Sequence, residues 1–192
     1  MKKLLSTLGK GYLGSYKRRK QKSFNYSLAH CLNTSRAMLK KSKYCILITN
    51  NEGQGPSARM VQPIIDLDTF VFWIGTNPTL RKVKEIQRNP NVTLAFSNNR
   101  ENANLIVYGK ASIESGMSER RNHWIPSWLL FYPDGPSGDD FILIRVEPTE
   151  IELMNFKRNV VPPEPFGLKP VRLKKTDEDW QVQEDKNQTN NS

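Results

Sequence analysis

Short apolar runs alternate with clusters of turn residues along most of the chain, and that pattern predicts strands. Tyr44-Cys45-Ile46-Leu47-Ile48-Thr49 reads as a strand, and Asn50 to Gly55 as a turn. Ala58 to Ile65 pairs back as a second strand, with Pro63 predicting an edge or a bulge. Phe70 to Gly75 is apolar without a break, so both its faces should be covered. Val92 to Phe96 is another strand, and Leu105 to Glu114 alternates, with Leu105, Val107, Ala111 and Ile113 on one side. Phe141 to Val146 and Glu150 to Phe156 read as two more. Pro170 to Lys174 and Trp180 to Val182 suggest a last hairpin, with Trp180 as a structural plug.

Helical periodicity is confined to a few segments. Residues 27–41 place Leu28, Cys31, Leu32, Ser35, Met38 and Leu39 on one stripe, and Lys40 and Lys41 suit the negative end of the helix dipole. Asn77 is a good N-cap and Pro78 a good first helical residue, so a helix is predicted from there to Asn89-Pro90. Met117 to Leu130 reads as helix broken at Pro126. Residues 131–140 form a loop and 159–168 a proline-rich crossing. About six core strands, few helices and short turns predict a mainly β, antiparallel barrel over a doubly wound sheet.

Charge changes the picture at one end only. Residues 1–51 hold 12 basic residues and no acid, whereas residues 52–192 hold 17 basic and 19 acidic, a balance of −2. The net +10 therefore belongs to the front of the chain. Residues 1–24 read as a basic, mobile extension, residues 25–183 as one domain, and residues 184–192 as a disordered tail. The extension fits a transit peptide, a polybasic arm or a solvated tail; nucleic-acid binding ranks low because no stacking motif accompanies the charge. No apolar run reaches about 18 residues, so no membrane-spanning helix is expected. Cys31 and Cys45, without a secretion signal, are expected as reduced thiols, and the compartment as cytoplasmic, or organellar if the basic start is a transit peptide. His30 and His123 lack ligand spacing, and zinc, P-loop and dinucleotide patterns are missing, so no metal site is predicted.

The candidate chemistry starts at Thr76 to Lys82, where a buried strand ends, a helix begins, and Arg81 and Lys82 occupy its first turn. Cations are disfavoured there by the helix dipole unless an anion is held. The segment reads either as a phosphate cradle or as two solvated charges. Arg59 lies in a strand that could run beside the one ending at Thr76; it adds a third cation to the cradle or faces water. The aromatic run from His123 to Tyr132 reads either as a lid over a ligand or as packing. Asp139 and Asp140 read as turn residues.

These residues carry a likeness. PSARMV, WIGTNPTLRKVKEIQRNPNVTLAF and NLIVYGKA, in that order and spacing, resemble the pyridoxamine 5′-phosphate oxidase-related flavoproteins. The resemblance runs from about Lys43 to Phe156, and more loosely to Trp180. The small general-stress-protein branch is most similar, with its aromatic loop, Pro133-Asp134-Gly135-Pro136 and a strand pair like FILIRVEPTEIEL. It implies a six-stranded antiparallel split β-barrel that binds FMN, usually as a homodimer with flavin at the subunit interface.

By position, the resemblance implies that Arg59, Met60 and Val61 line the flavin, Gly75 and Thr76 sit beside it, and Arg81 and Lys82 bind its phosphate. Asn104, five residues before Gly109, occupies the place of a family glutamine that hydrogen-bonds the ring system. Leu80 stands where the family often has a serine, which removes a phosphate hydroxyl that Thr79 is placed to replace. Ile64 stands where true pyridoxamine phosphate oxidases have a lysine, and their arginine-rich C-terminal segment is missing. The implied function is electron or hydride transfer between FMN and a small molecule, without vitamin-B6 oxidase activity and with no declared catalytic acid or base. A non-catalytic flavin, haem or deazaflavin sensor on the same barrel, or an interaction protein with an empty site, stays open.

Overall fold

The computed structural model describes residues 2–51, 53, 55–162, 166–177 and 179–183, with side chains from Lys10 onward. The tail expected to be disordered lies outside them, as do parts of the turn after Asn51 and of the proline-rich crossing. In chain order the elements are α1 (Lys2–Gln21), α2 (Leu28–Leu39), β1 (Cys45–Asn51), β2 (Gly55–Val61), β3 (Pro63–Ile65), β4 (Phe72–Thr76) and α3 (Arg81–Arg88). Then come β5 (Asn91–Asn98), β6 (Ala103–Glu114), α4 (Met117–Asn122), β7 (Ile142–Asn155), β8 (Val171–Lys175) and β9 (Trp180–Gln183).

Every strand pairing is antiparallel, in the order β2-β1-β5-β6-β7-β4-β3. The two ends of that path, β2 and β3, are consecutive in sequence, separated only by Gln62. They act as one strand bent at Pro63, whose missing N–H cannot continue the ladder. The bend hands the chain from β1 to β4 and closes the barrel. The sheet has nine strands rather than six, because Pro63 splits one strand in two and the β8–β9 hairpin extends β7.

The apolar positions read from the sequence fill the barrel. Leu47, Phe72, Ile74, Leu94, Leu105, Val107, Ile144 and Ile151 are fully buried together, and α2 adds Cys31, Met38 and Leu39. Trp180 packs edge-on against Phe70, with ring centroids 5.9 Å apart. Alternation places Trp73 on the opposite face of β4, where Trp128, Phe141 and Leu143 form a second apolar cluster. Both faces of β4 are therefore covered, as its unbroken apolar run predicts.

β7 corrects the expectation of two strands. It is one strand of 14 residues that runs through Pro148. The register against β6 shifts between Tyr108 and Gly109, opposite Pro148, and this bulge accommodates the proline. Gly109 is required there, because a Cβ would overlap the Glu147 carbonyl.

The acid-free extension forms helix α1. Its C-terminal end is tied to the barrel: Lys20 Nζ donates to Asn159 Oδ1 at 2.5 Å, and the Asn25 amide donates to the Asn159 carbonyl at 2.9 Å. Tyr12, Leu13 and Tyr16 stay exposed along it. Among the described residues no helix is long and apolar enough to cross a membrane.

Candidate functional site

The segment after β4 does not cap the helix as predicted. α3 begins at Arg81 with Leu80 in the N-cap position and no side-chain cap. The Asn77 side chain is used one turn earlier: its Oδ1 accepts from the Thr79 amide at 2.9 Å and the Thr79 hydroxyl at 2.7 Å. This Asx turn leads the chain out of the strand. Arg81 and Lys82 still occupy the first two helical positions.

Across from them, β1 and β2 pair so that Thr49 faces Ser57, two residues before Arg59. The side chains of Thr49, Ser57 and Arg59 converge on Glu85 of α3. Thr49 Oγ1 donates to Glu85 Oε2 at 2.5 Å, Ser57 Oγ to Oε1 at 3.1 Å, and Arg59 Nη2 to Oε2 at 2.8 Å. Arg59 Nη1 also donates to the Thr49 hydroxyl. Arg81 Nε reaches Glu85 Oε1 at 3.0 Å from one helical turn away. The Glu85 side chain is only 3% exposed, whereas that of Arg81 is 68% exposed.

Burial pushes the Glu85 carboxyl up, but the hydrogen bonds from Thr49, Arg59 and Ser57 outweigh it, and the net shift is below the usual carboxylate range. Burial holds the Lys82 ammonium below the usual lysine range, and the Arg59 charge adds to this. Among the described residues Lys82 has no carboxylate partner. Two arginines on one carboxylate, with Lys82 near Arg59, leave a charge of +2. Arg59, Arg81 and Lys82, picked separately from the sequence, are thus brought together, and β2 reaches the site without being hydrogen-bonded to β4.

The other expected residues divide. Val61 and Thr76 are buried, Met60 is exposed, and the Thr76 hydroxyl has no hydrogen-bond partner. Gly75 packs under the aromatic segment: a Cβ there would meet Trp128 at 2.7 Å and Phe141 at 2.8 Å. From the segment His123 to Tyr132, Trp124, Ile125, Trp128 and Tyr132 pack against the outer face of β4 and β7, while Leu129, Leu130 and Phe131 are exposed. His123 stacks on Trp73 at 3.8 Å. Asn104 lies elsewhere. It faces Ser97 on β5, five residues beyond Val92, which faces Thr49 of the cradle; the two lie ~17 Å apart along that strand at ~3.3 Å per residue. Its Oδ1 is buried without a partner. Asn104 therefore makes no contact with the Glu85 cluster itself.

Glu85, Thr49 and Ser57 were not picked from the sequence. Glu85 is four residues after Arg81, a spacing that ordinarily marks a solvated helix pair. Only the packing of α3 against the sheet, with Thr49 from β1 and Ser57 and Arg59 from β2, makes it buried.

A sequence profile described as pyridoxamine 5′-phosphate oxidase like matches residues 32–161, about two thirds of the chain. The chain belongs to the pyridoxamine 5′-phosphate oxidase-like family. No curated protein matches this family member by sequence. Among solved structures, a Clostridium acetobutylicum protein related to general stress protein 26 superposes with a TM-score of 0.62 at 21% identity, covering 74% of this chain and 93% of its own. General stress protein 26 of Bacillus anthracis gives 0.58 at 21% identity, covering 65% and 94%. An FMN-binding, pyridoxamine 5′-phosphate oxidase-related protein of Nostoc punctiforme gives 0.58 at 16% identity, covering 81% and 93%. These likenesses establish the split-barrel fold for this member of the oxidase-like family.

Proposed function

We propose that this pyridoxamine 5′-phosphate oxidase-like protein binds FMN and works as an oxidoreductase on a small molecule. One observation carries the reading: Arg59 and Arg81 hold a single buried carboxylate while Lys82, close enough to feel the Arg59 charge, has no carboxylate partner among the described residues, so the three cations keep a charge of +2. Arg81 leaves both Nη groups and Lys82 its whole ammonium for an anion, which suits a terminal phosphate. The Thr76 hydroxyl and the Asn104 carbonyl oxygen, both buried and unpartnered, are further groups a polar ligand would satisfy. Bound FMN supplies redox chemistry that these side chains lack. The protein's own part is to hold the phosphate, fix orientation and keep water from Thr76 and Gly75 behind the packed aromatic segment.

The same reading uses two copies of the chain. Met60, Ile46, Ala95 and Ile106 lie in one row across β2, β1, β5 and β6. Met60 and Ile46 in that row are exposed. Such an apolar outer face suits a second copy. Asn104 lies on this face too, two residues before Ile106, and so on the side that a second copy would cover.

The decisive experiment is the absorption spectrum of the purified protein, followed by FMN titration of the stripped form. Flavin bands that bleach with dithionite are expected. A colourless protein that takes up no FMN rules the reading out. Screening NAD(P)H and reduced deazaflavin as donors then separates an enzyme from a sensor.

A further inference from the structure

The donors around Glu85 form a closed set. Thr49 and Arg59 donate to one oxygen of a single carboxylate and Ser57 to the other, beside which Arg81 Nε sits as an ion pair at 3.0 Å. A hydroxyl has one proton. Thr49 gives its proton to Glu85 and accepts from Arg59, so the direction of every bond in the Arg59–Thr49–Glu85 ring is set. Arg59 cannot rotate without breaking bonds at both Nη groups. Arg81 is held by Nε alone, which turns its two Nη groups outward. The carboxylate also sits between like charges, bridging Arg59 and Arg81. It offsets one cation and leaves a charge equal and opposite to that of a phosphate monoester dianion.

We propose that Glu85 is the positioning residue of this site: it fixes the orientation of Arg59 and Arg81 from behind and tunes the cradle for a phosphate monoester in its dianionic form. The proposal rests on the phosphate-cradle reading above. Glu85 is buried behind its partners, engaged by three hydrogen bonds and an ion pair, so its carboxylate is not presented to a ligand. It acts only through the two arginines. A glutamine at this position places an NH2 group against donors, so at least one arginine loses its anchor.

The test compares FMN with riboflavin, which lacks the phosphate, by flavin fluorescence quenching on the full chain. Wild type, Glu85→Gln and Glu85→Asp are measured between pH 5 and 8. Wild type should bind FMN more tightly as pH rises through about 6, where the monoester takes its second charge. Glu85→Gln should lose about tenfold or more in FMN affinity and flatten that pH response, with riboflavin affinity unchanged. Glu85→Asp, which keeps the charge on a shorter stem, should recover part of both. Equal loss for riboflavin and FMN in Glu85→Gln would make Glu85 a structural residue and overturn the proposal. So would unchanged FMN affinity. If Glu85→Gln does not fold, the same comparison on Thr49→Val, which breaks the ring at its hydroxyl, decides in the same way. Failure of wild type to bind FMN at all sinks the cradle reading itself, a different result from an indifferent Glu85.

Discussion

Arg81 and Lys82 are the residues on which the functional reading turns. The double variant Arg81→Ala/Lys82→Ala should weaken FMN binding by about 3 kcal/mol, because charge-assisted bonds to phosphate contribute roughly 1.5–3 each and Arg81 is shared with Glu85. Isothermal titration measures it, and unchanged affinity would place the phosphate elsewhere. A second buried carboxylate, Glu101, serves stability. Asn155 Nδ2 donates to it at 2.9 Å, Arg158 Nε at 3.0 Å and Lys41 Nζ at 3.2 Å. The hydrogen bonds from Asn155 and Arg158 pull its carboxyl down from 4.5 to about 2. Since the folded value is the lower one, Glu101 stabilises fully above about pH 5 and loses its contribution as pH falls toward 2. Glu101→Gln should cost about 2 kcal/mol at pH 7, reduced from the cost of breaking a fully buried pair because Lys41 and Arg158 keep contact with water. Urea unfolding at pH 7 and pH 3 checks this: the difference between variant and wild type should shrink at the lower pH. Cys31 and Cys45, by contrast, are free and buried, and burial pushes their thiols up to about 11 and about 12, which leaves no reactive thiolate near neutrality.

At the scale of elements, the tight points are where strands carry glycine for space. Gly109→Ala places a methyl against the Glu147 backbone carbonyl at the β6–β7 bulge, and backbone cannot swing aside as a side chain can. It should destabilise by about 3 kcal/mol, lowering Tm by roughly 6–12 °C for a chain of this size. Gly75→Ala meets side-chain rings of Trp128 and Phe141 instead. A calorimetric scan in which Gly109→Ala leaves Tm unchanged would show that the bulge is looser than described. The same elements show what periodicity could reveal. Alternation in β1, β5 and β6 was legible because one face is core. β7 was not, since Pro148 looks like a break until a bulge at Thr149 in the same strand lets the pairing with β6 continue. The start of α3 was misplaced by three residues, with Leu80 rather than Asn77 at the N-cap, because a free Asn oxygen serves an Asx turn as well as an N-cap.

For the whole molecule the question is what lies outside the barrel. Ile46→Glu puts a charge into the apolar row that faces the proposed second copy. It should shift the protein from dimer to monomer by light scattering, with weaker FMN binding in parallel. A monomeric wild type would remove the dimer from the reading. Removing residues 2–21 deletes α1 and its tie through Lys20 but touches neither cradle nor barrel. FMN affinity should stay within about twofold, since none of the charge-assisted contacts assigned to the phosphate is lost. Collapse of the fold would mean that α1 is part of the domain.

The sequence by itself determined the barrel's antiparallel strands, the apolar positions that fill it, and the three cations of the site. Strand alternation and residue chemistry are local properties, and locality is what a sequence displays. Only the tertiary structure decided that Pro63 bends one strand into two so that the barrel closes, that Trp128 packs against Gly75, and that Glu85 is the point where the two arginines meet. Those outcomes depend on which strand passes in front of which helix. A glutamate four residues from an arginine is a surface pair until Thr49, Ser57 and Arg59 arrive from another part of the chain and exclude the water.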